Sequence, residues 1–388
     1  MSNANQATLS TIYRLCYWIS EHSESKEREL EGLANEEYFL SIVALANQCW
    51  IVGALTHGIK QKKQWEALPA LHREYLTEIS QVYEERAAEL VDEIVYSVKL
   101  LNHLEITPIL LKGAATLLNG VAVPRSIRYM NDIDMLVKPE ELEYATQEMV
   151  AQGYTLDDEA YDIDEYEHHH QSPMKRNTSK CYIELHRWHT KNTLLTLLPS
   201  SELWHSAKLI PVNEPISVRE CSATHQIIIN IVHSELSDRG YFEKDIHLFQ
   251  LVALYQLVNF YRDEIDWQQV ASHFMEAGVQ SVLYSRLYAL IELFNIELPL
   301  DNKNLQAVEN QKHFKYCLSN YIDNQNGIGL KAVLQGQLSE YSKLSIKVHY
   351  GIDKFWGVLH VRCKIFKNQI KKLTNKNYLK KFFLANFN

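Results

Sequence analysis

The chain has 388 residues, 46% of them hydrophobic, which is enough to bury the cores of about two or three domains. No apolar run approaches the roughly 18 residues that span a bilayer, and the N-terminus lacks the basic and apolar segments of a secretory signal. The six cysteines are scattered without a CxxC pair, which argues against a zinc site. These features exclude a membrane-spanning or disulfide-rich secreted protein and favour the reducing cytoplasm.

The net charge of −9 is unevenly distributed along the chain. Residues 341–388 contain eleven Lys and Arg against one acid, Asp353, so this basic tail has a net charge of +10 and the rest of the chain −19. An acidic body is a poor non-specific binder of nucleic acid, and no specific nucleic-acid partner is expected. The tail interleaves cations with aromatic residues, which suits peripheral contact with a membrane or a partner, with nucleic acid, or with the acidic body itself.

Hydrophobic periodicity divides the chain into four regions. Residues 1–104 and 191–300 carry apolar residues at helical spacing, whereas 105–190 alternates strand-like and helical segments. Residues 301–388 form a polar segment followed by the basic tail. This organisation predicts a mixed α+β fold, in which a small mixed sheet with helices lies between N- and C-terminal helical regions.

Short apolar runs separated by turn residues predict the strands of the mixed region. These strands are Thr107–Leu111, Ile133–Val137, Gly153–Leu156 (a strand or a loop), His168–Met174 and Lys180–Trp188. Longer patterns predict helices at Ala114–Asn119, Glu140–Gln152, Ala223–Leu236 and Asp245–Phe260, and a helix over Leu71–Leu104 that follows an apolar run at Tyr38–Leu55. An acidic loop is predicted over 157–167, and residues 191–216 are predicted to be irregular.

Two carboxylates lie in one predicted strand. Successive strand side chains point to opposite faces, so Asp132 and Asp134 point the same way while Ile133 and Met135 point into a core. Neighbouring carboxylates repel each other unless a cation lies between them, and Mg²⁺ prefers such oxygen ligands together with substrate phosphates. A two-metal site needs a third acid, and Glu184 is well placed for it on a later predicted strand.

The sequence from Leu110 to Val137, with LLKG, an arginine and then NDIDMLV, resembles the nucleotidyltransferase superfamily of DNA polymerase β and the aminoglycoside nucleotidyltransferases. It looks more closely like a bacterial group of nucleotidyltransferase family proteins with a Leu-Lys-Gly opening. The resemblance covers residues 105–190, with weaker similarity further on. It implies a polymerase β-like core that uses Mg²⁺, or Mn²⁺, and an NTP. The implied metal ligands and catalytic residues are Asp132, Asp134 and Glu184.

The same resemblance assigns the nucleotide to residues around the Lys-Gly turn. Gly113 follows a strand, where a glycine lets the backbone approach phosphate, and Arg128 matches an arginine that precedes the acids. The superfamily usually has Gly-Ser or Gly-Gly at the turn, whereas this chain has Gly113-Ala114, so a hydroxyl contact to phosphate is missing. Lys112 or Thr116 is expected to substitute for it. The alternative for Lys112 and Arg128 is a salt bridge to an acid.

Four histidines and one further acid are expected to line the substrate pocket. His169 and His170 lie in a predicted strand where the family often has a histidine, and His186 follows Glu184 by two residues. His233 and Asp245 resemble a helical histidine and aspartate of the family. The alternatives are a surface strand for the histidine pair, and helix caps or ties for His233 and Asp245.

The sequence therefore predicts a cytoplasmic, Mg²⁺-dependent nucleotidyltransferase that moves a nucleoside monophosphate from an NTP, ATP among them, to an acceptor hydroxyl and releases pyrophosphate. The acceptor, a small molecule, a sugar or natural product, or a protein or peptide, is left open. So are two alternatives: a non-catalytic nucleotide-binding or regulatory interaction protein, and transfer of a phosphoryl or glycosyl group by the same metal site. The sequence contains no Walker A, GxSxG or HExxH motif and no Rossmann glycine fingerprint, which argues against P-loop, protease and dehydrogenase classes.

Overall fold

A computed structural model of the chain describes residues 3–21, 32–157, 169–212, 214–325, 342–350, 354 and 357–365. Helices occupy both ends of the chain and the strands cluster between them, so the predicted mixed α+β class, a sheet core flanked by helical regions, is confirmed. The predicted acidic loop, apart from its first residue, and much of the basic tail lie outside the described residues.

The N-terminal region is helical, as predicted. Its helices are α1 (Asn3–Ile19), α2 (Glu36–Gln48), α3 (Val52–Gln61) and α4 (Ala70–His103). The Asn35 side chain caps α2 by accepting a hydrogen bond from the backbone N–H of Tyr38. The apolar run at Tyr38–Leu55 is divided between α2 and α3, because Trp50 has a φ of 56° and a right-handed helix cannot continue through that conformation.

Seven strands form one mixed sheet. They are β1 (Ile109–Leu110), β2 (Asp132–Leu136), β3 (Tyr154–Leu156), β4 (Met174–Arg176), β5 (Tyr182–His186), β6 (Lys208–Leu209) and β7 (Arg219–Glu220), in the order β3-β4-β5-β2-β1-β7-β6. At the centre, β2 runs parallel to β5 and antiparallel to β1. The central strands β1 and β2 are buried almost throughout, and they coincide with the apolar runs of the predicted strands Thr107–Leu111 and Ile133–Val137.

The structure corrects two of the local predictions. The predicted strand His168–Met174 is wrong, because β4 begins only at Met174 and His170 makes an isolated bridge with His186. Residues 191–216 are more regular than predicted, since they include helix α7 (Ser200–Ser206) and strand β6. Because β6 and β7 extend the sheet past residue 190, the four-region division of the chain stays a prediction.

Two helices pack beside the sheet, and the remaining helices follow it. The first two are α5 (Lys112–Leu118) and α6 (Leu142–Ala151). The later helices are α8 (Ala223–Ile231), α9 (Gly240–Glu243), α10 (Leu248–Phe260), α11 (Trp267–Glu276), α12 (Gln280–Phe294), α13 (Asn302–Leu305), α14 (Val308–Gln325) and α15 (Lys343–Tyr350). A π-helical segment, Val232–Ser237, extends α8 without a break. Residues 357–365 are also helical.

Two large hydrophobic clusters hold these elements together. One includes residues from both ends of the chain, such as Trp18 of α1 and Phe294 of α12, and the hydroxyl of Ser20 donates to the Phe294 carbonyl at 3.2 Å. The other packs α4 against the sheet through residues such as Ile94 and Ile133. The N-terminal helices therefore pack on both the C-terminal helices and the sheet.

The described part of the basic tail packs on the body. Ile346 and Val348 of α15 are buried, and Lys347 Nζ donates to the Ala277 carbonyl at 2.8 Å, at the end of α11. Contact of the rest of the tail with a membrane or partner stays a prediction. Among the helices that the structure describes, none combines the length and apolar character needed to cross a bilayer.

Candidate functional site

The register of two parallel strands brings the predicted acids together. Asp134 of β2 lies directly beside Glu184 of β5, and Asp132 lies two residues before Asp134 on the same strand. Because side chains at i and i+2 share a face, all three carboxylates project from one side of the sheet. We call Asp132, Asp134 and Glu184 the acid cluster. The predicted strands that carry Asp134 and Glu184 are confirmed, and β2 begins one residue earlier than predicted, at Asp132.

Two basic side chains contact the buried member of the acid cluster. Lys112 Nζ donates to Asp134 Oδ1 at 3.0 Å, and His186 Nε2 donates to the same oxygen at 2.8 Å. His186 Nε2 also lies 3.5 Å from Glu184 Oε2. Within the described part of the chain, Asp134 Oδ2 has no hydrogen-bond partner, so this carboxylate keeps one oxygen for a ligand.

These contacts shift the pKa values of the three acids in different directions. Burial alone would raise the pKa of Asp134, but Lys112 and His186 hold it far below its ordinary value. Burial likewise acts against the charge of Glu184, and its contact with His186 lowers the pKa of that carboxyl. Partial desolvation and the neighbouring Asp134 charge raise the pKa of Asp132. Asp132 is therefore the most basic of the three carboxylates.

The pKa values of the two basic partners, Lys112 and His186, are raised. Burial disfavours charge on Lys112, but Asp134, Asp132 and Glu184 together raise the pKa of its ammonium group. Burial also opposes protonation of His186, and hydrogen bonds to Asp134 and Glu184 raise the pKa of the ring. Lys112 has a φ of 49°, a conformation that costs about 1–2 kcal/mol for a residue with a Cβ and is concentrated at functional sites.

Two cavities meet at the acid cluster. The first has a volume of about 280 Å³ and includes Asp132, Asp134, Arg128 and Trp50 in its lining. The second, of about 240 Å³, lies on the Glu184 side and includes His169, His170, His189 and Lys191. Lys112, Asp132 and His233 line both cavities, so a ligand in either one reaches the acid cluster.

The predicted histidine pair lies in the second cavity, next to Glu184. His170 Nε2 is 3.9 Å from Glu184 Oε2, and the ring centroid of His169 is 4.5 Å from that of His170 and 5.3 Å from that of His186. Burial, with the nearby His186, lowers the pKa of His169 to about 2 and also lowers that of His170. His169 is therefore neutral at neutral pH and can donate or accept a hydrogen bond.

Two of the predicted nucleotide-binding residues pack against each other in the first cavity. A Cβ built on Gly113 would lie 2.6 Å from Arg128 Nε and 2.6 Å from Met130 Sδ, so only glycine lets these side chains approach. The Arg128 side chain is buried against Phe249, 5.1 Å from its ring centroid, and its guanidinium makes no hydrogen bond within the described residues. Burial lowers the pKa of Arg128 to about 10, against the effect of Asp132 and Asp134.

Two other predicted site residues are not brought into these cavities. Thr116 is buried, its hydroxyl donates to the Gly113 carbonyl at 2.7 Å, and it lines neither of the two cavities. Asp245 forms an ion pair with His247 at 2.9 Å and lines neither cavity. His233 does reach the site: it lines both cavities and lies 2.7 Å from Asp238 Oδ2.

The π-helical segment explains how His233 and Asp238 reach the site. A π turn widens the helix locally, and such turns are common at functional sites. Val232–Ser237 carries His233, Asp238 follows at once, and both residues line the second cavity. The amphipathic pattern of the predicted helix Ala223–Leu236 contains no signal that distinguishes a π turn from α-helix.

Sequence reasoning missed the aromatic wall of the first cavity. Trp50, between α2 and α3, is 52% exposed and stacks on Tyr129, with ring centroids 4.7 Å apart and planes inclined by 20°. Tyr129 and Phe249 complete this wall. The available signal was a tryptophan at the break of an apolar run, immediately before the next helix.

The structure contains two groups of side chains whose ligand atoms could hold a metal ion, within the residues it describes. One consists of Asp134, Glu184 and His186, whose ligand atoms lie within 4.8 Å of one another. It shares two members with the predicted metal site, with His186 in place of Asp132. The other lies outside the acid cluster and consists of Glu202, His225 and His273.

Comparison with known proteins shows a match to a protein family. Residues 36–295 match a protein family described as uncharacterised nucleotidyltransferases, and this range contains the sheet, both cavities and all of the predicted site residues. No curated protein matches the chain. Because the match covers about two thirds of the chain, from α2 to the residue after α12, the chain belongs to the family of uncharacterised nucleotidyltransferases.

Proposed function

We propose that this protein moves a nucleoside monophosphate from an NTP to an acceptor hydroxyl and releases pyrophosphate. The observation that carries this proposal is the placement of Asp132, Asp134 and Glu184 on one face of β2 and β5, where two cavities meet. Lys112 and Arg128 add cationic groups in the same place. Carboxylates beside cations, with room for ligands on both sides, suit an in-line transfer between phosphate and hydroxyl oxygens.

The acid cluster fits a divalent metal. Asp134 keeps an unpartnered oxygen, and no side chain within the described residues forms an ion pair with Asp132. Asp132, Asp134 and Glu184 would hold Mg²⁺ or Mn²⁺, since these ions prefer carboxylate oxygens. When bound, the metal neutralises charge on the phosphates and on the attacking and leaving oxygens.

Lys112 and Arg128 would bind the triphosphate. The Lys112 ammonium lies 3.0 Å from Asp134 and is partly exposed to both cavities, so it balances the acid before the nucleotide arrives and can turn to a phosphate oxygen afterwards. Arg128 is buried with an unpartnered Nε, and guanidinium groups bind phosphates in bidentate fashion. Gly113 keeps Arg128 close to the acids because it has no side chain.

The aromatic wall of the first cavity would hold the nucleobase. Trp50 stacks one face on Tyr129 and is half exposed, so its ring offers surface to a planar ligand. Stacking of a base on an aromatic ring contributes about 1–3 kcal/mol. The triphosphate would then extend from Trp50 past Arg128 to the acid cluster, with the second cavity left for the acceptor.

The residues of the second cavity would position the acceptor hydroxyl. His169 and His170 are largely uncharged and can hydrogen-bond it, while Lys191 favours an acceptor that carries negative charge nearby. The hydroxyl oxygen forms a bond to the α-phosphorus as the bond from that phosphorus to its β-bridging oxygen breaks, and pyrophosphate leaves with the electron pair. The hydroxyl proton would pass to Asp132 or Glu184, the two carboxylates of the acid cluster that line the second cavity.

The test uses the full chain with Mg²⁺ and each NTP labelled at the α- or γ-phosphate, offered a broad pool of hydroxyl acceptors. We expect label from the α-phosphate to enter an acceptor with release of pyrophosphate, and Asp132→Asn and Asp134→Asn to lower the rate of this transfer by about 10²-fold or more. Asp92→Asn is the matched control, since Asp92 is an exposed acid on α4. Transfer of the γ-label instead identifies a phosphotransferase, and a product that the acid variants form at the wild-type rate rules out the acid cluster as its source.

A further inference from the structure

A second group of metal-ligand side chains lies outside the acid cluster and its cavities. Glu202 comes from the short helix α7, His225 from α8 and His273 from α11, and their ligand atoms lie within 4.8 Å of one another. We call these residues the histidine cluster. Nothing in the proposed transfer reaction uses it, so it requires a separate explanation.

The two imidazole rings point the same nitrogen at one carboxylate oxygen. Glu202 Oε1 lies 3.2 Å from His225 Nε2 and 3.1 Å from His273 Nε2. In a tetrahedral site with bonds of about 2.0–2.1 Å, neighbouring ligand atoms lie about 3.3 Å apart. These two nitrogen–oxygen separations are close to the edge length of a zinc coordination tetrahedron.

The hydrogen bonds behind the rings determine which nitrogen carries a proton. His273 Nδ1 lies 2.8 Å from the Leu197 carbonyl, which can only accept, so Nδ1 donates. His225 Nδ1 lies 2.9 Å from the Ser206 hydroxyl, and that hydroxyl donates to the Glu202 carbonyl at 3.0 Å. The serine oxygen therefore accepts from His225 Nδ1.

In the neutral form, both rings then direct the Nε2 lone pair at the Glu202 carboxylate. Two lone pairs and a carboxylate repel each other unless a cation lies among them. Within the described residues, Glu202 forms no ion pair with a lysine or arginine, and Gln269 donates only a neutral amide N–H to it, at 3.0 Å. Imidazoles that bind metals commonly donate their second N–H to a backbone carbonyl or a hydrogen-bonding side chain, as these rings do.

We propose that Glu202, His225 and His273 bind a divalent transition-metal ion of the zinc class. Two imidazole nitrogens and one carboxylate oxygen form a donor set suited to such an ion rather than to Mg²⁺. The Glu202 side chain is 33% exposed, so solvent can supply a fourth ligand. The ion would tie the seven-residue helix α7 to α8 and α11.

The same ion would support one wall of the second cavity. Ser200, the first residue of α7, lies with its hydroxyl 3.3 Å from Nδ1 of His189, which lines that cavity. From the other side, α8 continues into the π-helical segment that carries His233. Metal binding at the histidine cluster therefore fixes two elements that reach the acceptor side of the acid cluster. The metal-binding proposal itself does not depend on the proposed reaction.

The test measures metal binding to the full chain, freed of metal by a chelator and dialysis. Zn²⁺ content and competition titration give stoichiometry and affinity, and Co²⁺ gives the visible absorption of a tetrahedral site. We expect His273→Ala and Glu202→Gln to lose one equivalent of Zn²⁺ and the tetrahedral Co²⁺ spectrum. Ser206→Ala, which removes only the partner of His225, is expected to weaken Zn²⁺ binding by about 10- to 100-fold.

Two controls keep the test decisive. His205→Ala removes an exposed histidine from the same helix and should bind Zn²⁺ like the wild type, and Asp134→Asn should keep the histidine-cluster equivalent although it alters the acid cluster. If His273→Ala does not fold, Glu202→Gln and Ser206→Ala carry the comparison, with circular dichroism as the check of folding. The proposal is overturned if the folded wild type binds no more Zn²⁺ than Glu202→Gln, which would identify the cluster as protonated histidines paired with a glutamate.

Discussion

The two clusters use similar residues for opposite electrostatic tasks. In the acid cluster, three carboxylates gather around one lysine and one histidine, and two cavities open onto them. In the histidine cluster, two imidazoles surround one carboxylate, and hydrogen bonds behind both rings fix their orientation. The acid cluster offers mostly oxygen ligands beside a lysine and a histidine, whereas the histidine cluster offers mostly nitrogen ligands. The difference teaches that the balance of donor atoms, rather than the presence of acids and histidines, indicates which ion and which role each site suits.

The largest expected effect comes from the most buried acid. Asp134→Asn keeps the shape of the side chain but removes the charge that pairs with Lys112 and His186. We expect it to lower kcat for nucleotidyl transfer by about 10²–10³-fold, the cost of removing one electrostatic group from a catalytic site. Steady-state kinetics measures this, with Asp92→Asn as control. If kcat stayed within a few-fold of the wild-type value, Asp134 would have only a structural role. The catalytic role that sets the acid cluster apart from the histidine cluster would then be wrong.

The second expected effect concerns stability and its pH dependence. His186→Asn breaks a fully buried ion pair with Asp134, and we expect a loss of about 3 kcal/mol in the free energy of unfolding where both groups are charged. The raised pKa of His186 gives stability that is full below about 6.5 and is lost as pH rises through the folded-state pKa. The lowered pKa of Asp134 gives stability that is present above about 3.9 and is lost as pH falls through its folded-state pKa.

The difference in stability between wild type and His186→Asn should therefore be largest around pH 5–6 and smaller at alkaline pH. Urea denaturation across this range measures it. His205→Asn, which removes an exposed histidine with no ion pair within the described residues, is the matched control and should track the wild type at every pH. A difference that grows with rising pH would contradict the assigned direction of the His186 shift.

A smaller effect is expected at the aromatic wall of the first cavity, beside the acid cluster. Trp50→Ala removes a half-exposed ring, and we expect the KM for the NTP to rise by about tenfold, corresponding to the lower part of the 1–3 kcal/mol that base stacking contributes. Trp50→Phe keeps an aromatic face and should recover most of the affinity. Equal KM values for the two variants would show that the base does not stack there.

The smallest effect is expected at Thr116, which the sequence assigned to phosphate. Its hydroxyl is buried on the Gly113 carbonyl, so Thr116→Val should cost about 1 kcal/mol of unfolding free energy, the net value of one hydrogen bond. We expect the KM for the NTP to stay the same. Thermal denaturation measures the stability and steady-state kinetics measures the KM. A raised KM at unchanged stability would show that the Thr116 hydroxyl contacts phosphate after all.

Local sequence rules predicted a large part of the core. Alternation in NDIDMLV placed Asp132 and Asp134 on one face, and the apolar run around Ile183 predicted the strand that carries Glu184. Rules of this kind work because side-chain direction in a strand depends only on the residue's parity. They fail where conformation depends on distant partners, as at Trp50, whose left-handed φ divides an apolar run.

The sequence by itself determined the mixed fold class, the face on which the Asp pair lies and the family. Only the tertiary structure decided that Glu184 stands beside Asp134, that His186 and Lys112 share one oxygen of Asp134, and that Thr116 lines neither of the two cavities. The histidine cluster could not be predicted from the sequence either. The cysteine pattern gave information only about thiolate ligands, and Glu202, His225 and His273 come from three separate helices. The physical reason is that contacts between residues distant in the chain depend on strand register and helix packing, which no local periodicity records.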